Sequence, residues 1–184
     1  MNAYERVMNR LAGKAVDRLP NLSLTMMFAA KEAGVSFGQF CSDYKMLAKG
    51  ALTCHEKYGI DMVCAISDPM REAEGLGAKV LIPEDGVPFC RERLIKDISQ
   101  VDKLKPCDPS MSRRMNDRLE AVCYMKERVG KDVPGIGWIE GAIAECCDLM
   151  DMQEFFVNLF EEPEAVTQLM DICMEQSLLF ARAQ

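Results

Sequence analysis

Asp68 and Glu140 are the two side chains whose places along the chain point to chemistry. Asp68 follows residues 61–66, a continuous apolar run that reads as a strand buried on both faces, and precedes a helical stretch over residues 70–76. Active-site groups of parallel α/β sheets gather at the carboxyl ends of strands, where an acidic side chain can take a cationic or N–H-bearing ligand. Ahead of Pro69, Asp68 suits equally well as an N-cap for that helix. Glu140 lies in Gly137-Trp138-Ile139-Glu140-Gly141, at the end of a second apolar run over residues 133–139. Its carboxylate fits substrate orientation or proton transfer, and it also fits the favourable charge at a helix start. The glycines allow close backbone approach to a ligand, and Trp138, the only tryptophan, supplies either an apolar wall or core volume. Asp68 and Glu140 are therefore the candidate catalytic residues, with Trp138, Gly141 and Met70 as candidate substrate contacts.

Other reactive types are poorly arranged. The nine cysteines are odd in number and include no Cys-x-x-Cys, so they read as reduced thiols filling core space beside 14 methionines. His55 is the sole histidine and sits mid-helix, so no zinc site is expected from these residues. No phosphate-binding glycine loop is present. Glu161-Glu162-Pro163-Glu164 reads as negative charge at a helix start, and Arg113 and Arg114 as part of a solvated helix face.

The 184 residues are 49% hydrophobic and 28% charged, which excludes a disordered chain and predicts one domain, or two small ones, with a sizeable core. The formal net charge of −7, with no concentrated basic patch, argues against a nucleic-acid partner. No apolar run approaches the ~20 residues of a membrane span, and residues 1–10 lack the apolar core of a signal peptide. A cytoplasmic location is the expectation.

These candidate residues need elements to hold them. Apolar periodicity predicts helices over about 3–13, from Asp43 to Tyr58 with Gly59 as the stop, and from near Ser112 to Val129 with Gly130 as the stop. Further helices are expected over 140–150 and 152–160, and from Pro163 onward, where proline suits the first helical position. Residues 22–28 fit a short strand entering a helix, but periodicity alone does not decide between strand and helix there. Residues 78–82 and 87–91 flank Asp85-Gly86 as a hairpin. Strands far apart in sequence and joined through helices imply parallel crossovers, so the class is α/β. About three core strands are expected, fewer than the eight of a closed (β/α)8 barrel.

The succession of Glu5-Arg6, Asp17-Arg18-Leu19-Pro20, Lys57-Tyr58-Gly59-Ile60-Asp61 and Ser67-Asp68 resembles the N-terminal half of the uroporphyrinogen decarboxylase superfamily. The stretches 72–80 and 134–141, and Glu162-Pro163-Glu164, extend the resemblance over nearly the whole chain. It implies the N-terminal part of a (β/α)8 barrel over residues 1–184, incomplete as given, with Asp68 at the position where the decarboxylase binds pyrrole N–H groups. The decarboxylase's Arg-Gln-Ala-Gly-Arg-Tyr segment is matched by Lys31-Glu32-Ala33-Gly34-Val35-Ser36, which lacks both arginines. Asp148 stands close to the place of its tyrosine. Trp138-Ile139-Glu140-Gly141 looks more like the corrinoid-dependent methyltransferase branch. That branch implies a methylcorrinoid donor, a small thiol acceptor, a corrinoid protein as partner, and zinc held by a His-x-Cys and a later Cys that this chain lacks. Three functions stay open on the resemblance: methyl transfer, porphyrinogen decarboxylation in haem biosynthesis, or a truncated, non-catalytic chain that self-associates. The 184-residue chain alone is expected to be inactive.

Overall fold

Local sequence signals set most helix ends, and a computed structural model describes them over residues 1–184. Residues 1–67 and 117–138 form one unit, and residues 68–116 and 139–184 form another.

In the first unit, α1 (Ala3–Leu11) begins with a capping box in which Asn2 accepts from the Glu5 N–H and the Glu5 carboxylate accepts from the Asn2 N–H. α2 (Met26–Ala33) stops at Gly34, and α3 (Phe37–Ser42) follows a second capping box made by Ser36 and Gln39. α4 (Tyr44–Tyr58) starts where Asp43 accepts from the Lys45 and Met46 N–H groups, and ends at Gly59 with φ 63°. Both α4 signals are those the sequence predicts. α2 packs along α4. Gly50 makes that approach possible, because a Cβ there would lie 2.7 Å from the Ala29 carbonyl oxygen.

β1 (Val63–Cys64) pairs in parallel with β4 (Gly135–Ile136), Val63 opposite Gly135. The Val63 and Ala65 N–H groups donate to the Pro134 and Ile136 carbonyls at 3.0 and 3.2 Å. The run over 133–139 is thus strand only at two residues. Of the stretch left open over 22–28, residues 22–25 form no strand and residues 26–28 are helical. Residues 21–25 carry no ladder, and α2 begins at Met26, whose φ of 25° is the one positive value outside glycine.

The family-like residues at the chain start form an ionic clamp. Arg6 donates to Asp61 and Asp17, each at 2.7 Å, Arg18 donates to Asp61 at 2.5 and 2.9 Å, and the Asn21 N–H reaches Asp61 at 2.8 Å. Burial opposes ionisation of Asp61, but Arg18, the Asn21 N–H and Arg6 outweigh it and lower its pKa.

In the second unit, α5 (Met70–Gly75) precedes a hairpin of β2 (Val80–Leu81) and β3 (Phe89–Cys90), antiparallel as the Asp-Gly turn predicts. Two 3-10 turns, Ile98–Lys103 and Pro109–Met111, lead to α6 (Arg113–Val129), whose length passes from this unit into the first. α7 (Ala142–Leu149), α8 (Met152–Glu161) and α9 (Pro163–Ala183) follow, α9 with Pro163 at its first position. The core joins Leu76, Ile98, Leu149, Phe155, Leu169 and Cys173. Cys41, Cys54, Cys146 and Cys173 are buried thiols, four more are half-buried, and Cys123 alone is exposed.

Candidate functional site

Asp68 is fully buried at the start of the second unit. Both of its oxygens are engaged. Arg114 forms a two-pronged pair with it, Nη1 donating to Oδ1 at 2.8 Å and Nη2 to Oδ2, and the Met70 N–H donates to Oδ1 at 3.1 Å. The capping alternative is therefore present, joined to an ion pair the sequence did not suggest. Arg114 is 2% exposed, so its reading as a solvated residue is corrected; Arg113, which reaches Glu74 at 3.1 Å, does lie on the exposed face. The difference is phase. Arg114, Arg118, Ala121 and Met125 share one buried helical stripe, and Arg113 does not.

Glu140 is fixed at three points within the second unit. Its Oε1 accepts from Arg71 Nη2 at 3.1 Å, its N–H donates to Glu72 Oε1 at 3.0 Å, and its carbonyl accepts from Ser177 Oγ at 3.0 Å. The side chain is 18% exposed, enough for one edge to meet solvent. Arg71 and Glu72 are fully buried on α5, and their importance was invisible in a sequence where they read as one turn of polar helix. Met70, beside them, is buried with its sulfur 3.6 Å from Cys90 Sγ, so it is a core contact of the hairpin. Gly141 is the N-cap of α7, and a Cβ there would meet nothing within 4 Å, so its surroundings leave room for an approaching group. Trp138 belongs to the first unit and is half-buried.

Asp148, on α7, completes an acidic neighbourhood. Burial pushes its carboxyl up to about 6, and the charges of Glu140, Glu72 and Asp68 push the same way, against Arg93. Burial likewise raises Glu72, against the pull of Arg71. This places the carboxyls of Asp68, Glu72, Glu140 and Asp148 in one electrostatic environment. Such a cluster can orient a cationic or N–H-bearing group or hold a proton.

Three cavities lie away from these carboxyls. One of about 20 Å³, room for a water, is enclosed near Thr25, Met26, Cys54 and Ile66 in the first unit. One of about 310 Å³ lies between Leu76, Leu94, Ile95 and Leu104, and one of about 510 Å³ beside Tyr4, Met8, Lys126 and Lys131. None of these three is lined by Asp68 or Glu140. The donor set does not fit zinc. No three His, Cys, Asp or Glu side chains are placed to hold an ion, and His55 Nδ1 lies 2.6 Å from the Ile60 carbonyl. No helix is long and apolar enough to cross a membrane.

The family profile described as uroporphyrinogen decarboxylase (URO-D) matches residues 2–184. The methylcobamide:CoM methyltransferase MtaA of Methanosarcina barkeri is 26% identical over 187 residues, spanning 97% of this chain and 53% of that protein. MtbA of Methanosarcina mazei, another methylcobamide:CoM methyltransferase, is 26% identical over 183 residues with the same coverage. A solved methyltransferase from Methanosarcina mazei superposes with a TM-score of 0.88 at 23% identity, covering all of this chain and 55% of that one. The fold is accordingly α/β, the N-terminal part of a (β/α)8 barrel, and the chain spans about half the length of the curated relatives it matches.

Proposed function

The chain belongs to the uroporphyrinogen decarboxylase family, and on that premise we propose that it forms part of a corrinoid-dependent methyltransferase. The observation that carries this reading is the likeness, over 97% of the chain, to two methylcobamide:CoM methyltransferases. A methylcorrinoid would supply a methyl group to the sulfur of a small thiol, keeping the electron pair of the broken cobalt–carbon bond, while the thiol gives up its proton. The acidic neighbourhood of Glu140 and Asp148 suits a group that orients the acceptor or takes that proton. Gly141 and Met70 of the second unit, and separately Trp138 of the first, are proposed as substrate contacts, and Asp68 as the residue that shapes the second unit through Arg114. A corrinoid protein is the proposed partner, the cytoplasm the proposed location, and residues 1–184 the proposed partial barrel domain. No zinc-assisted step is assigned to these residues.

Porphyrinogen decarboxylation fits less well. The segment from Lys31 to Ser36 offers no arginine, and valine cannot replace a two-pronged arginine–carboxylate pair.

Reading the coding DNA past the codon for Gln184 tests the proposal. An in-frame continuation with a His-x-Cys and a later Cys is the expected result. An immediate stop contradicts it and leaves the self-associating, non-catalytic chain in its place.

A further inference from the structure

The second unit buries more carboxyl groups than it has cations to match. Glu145 sits on the inward stripe of α7 with Ala142 and Leu149, fully buried, and neither carboxyl oxygen has a hydrogen-bond partner. The groups around it come from every side. α5 supplies Arg71 and Glu72, the turn before α7 supplies Glu140, and α7 itself supplies Asp148. Cys90 on β3 and Cys173 on α9 also feel its charge. Arg71 is the cation whose charge opposes the carboxylates around Glu145; Arg93 acts on Asp148, whose carbonyl it reaches at 3.1 Å. Arg71 is committed to Glu140, its Nε lies 3.5 Å from Glu72 Oε2, and Nε and Nη1 make no hydrogen bond. An ionised Glu145 would stand beside three other carboxylates with one guanidinium among them. A neutral carboxyl avoids that cost.

We propose that Glu145 is a proton-binding positioning residue: neutral, it lets Arg71 and Glu72 hold Glu140 in place, and ionised, it loosens that hold. The grip consists of the Arg71 bond to the Glu140 carboxylate, the Glu72 bond to the Glu140 N–H and the Ser177 bond to its carbonyl. A negative charge on Glu145 repels Glu72 and Glu140 and competes for the unused nitrogens of Arg71. One proton leaves to solvent and no other reactant is involved. Burial first, then Glu72, Asp148 and Glu140, push the Glu145 carboxyl up to about 9, so it is protonated at neutral pH. Between its ordinary value of 4.5 and about 9, the folded chain holds a proton that the unfolded chain has lost, so stability falls as pH rises. The proton belongs to the fold of this unit and stands or falls apart from the methyl-transfer reading.

The test compares the 184-residue chain with Glu145→Gln, which keeps a neutral group of the same shape. In wild type the folded-to-unfolded ratio should drop by up to ~tenfold per pH unit between pH 6 and 8 through this one group, and the fluorescence of Trp138, two residues from Glu140, should shift with a midpoint near 9. In Glu145→Gln that component of the slope and the fluorescence transition should both vanish. Equal slopes and an unchanged midpoint overturn the proposal. Should the variant not fold, carboxyl ¹³C NMR of glutamate-labelled wild type with the Glu145 resonance assigned decides: a Glu145 carboxyl still protonated at pH 7 supports it, and an ionised one overturns it.

Discussion

Asp68 carries two loads on one carboxylate, a cap on the Met70 N–H and a pair with Arg114. Removing it leaves Arg114 charged and 2% exposed. Asp68→Ala should therefore cost about 3–5 kcal/mol in urea unfolding, while the double change Asp68→Leu with Arg114→Met should recover most of the loss. A small loss in the single variant contradicts the ion-pair account. Asp148 gives a prediction of opposite sign. Its raised folded pKa, about 6, means that ionisation weakens the fold as pH rises from about 4 to 6. Asp148→Asn should match wild type in stability near pH 4 and exceed it at pH 8, a difference read from unfolding midpoints at the two pH values. Much of this scale was illegible in the sequence. Asp68 and Glu140 announce themselves by following apolar runs, but Arg114 lies 46 residues beyond its partner. Arg71, Glu72 and Glu145 look like surface charges until packing buries them. The available signal was Glu145 in phase with Ala142 and Leu149, a charge on an apolar stripe.

At the scale of elements, helices were far more legible than strands. Caps and stops are local chemistry, so Asp43, Gly59 and Pro163 mark helix ends without help from the rest of the chain. Strands depend on distant partners, which is why residues 133–139 reduce to a two-residue ladder and residues 22–28 form none. Gly50 is the point where the two kinds of information meet. Nothing local requires glycine inside α4, but the Ala29 carbonyl lies where a Cβ would go. Gly50→Ala should thus destabilise by about 1–3 kcal/mol despite alanine's better helix propensity. A more stable variant in thermal unfolding would show that α2 yields freely to the added methyl.

At the scale of the whole molecule, the chain keeps many large apolar side chains in water. Phe160 is 89% exposed, Met111 83% and Leu11 76%, and Phe156 and Val157 are about half exposed on α8. Exposed apolar area of this kind favours association. The 184-residue chain should therefore scatter light as a species larger than its 20.7 kDa at micromolar concentration, and a clean monomer mass contradicts that expectation. The most direct measurement of the central claim uses the complete product of the gene, incubated with methylcob(III)alamin and a small thiol. Loss of the methylcobalamin absorbance in step with thioether formation is the predicted result. No methyl transfer, together with decarboxylation of uroporphyrinogen by the same preparation, would contradict it.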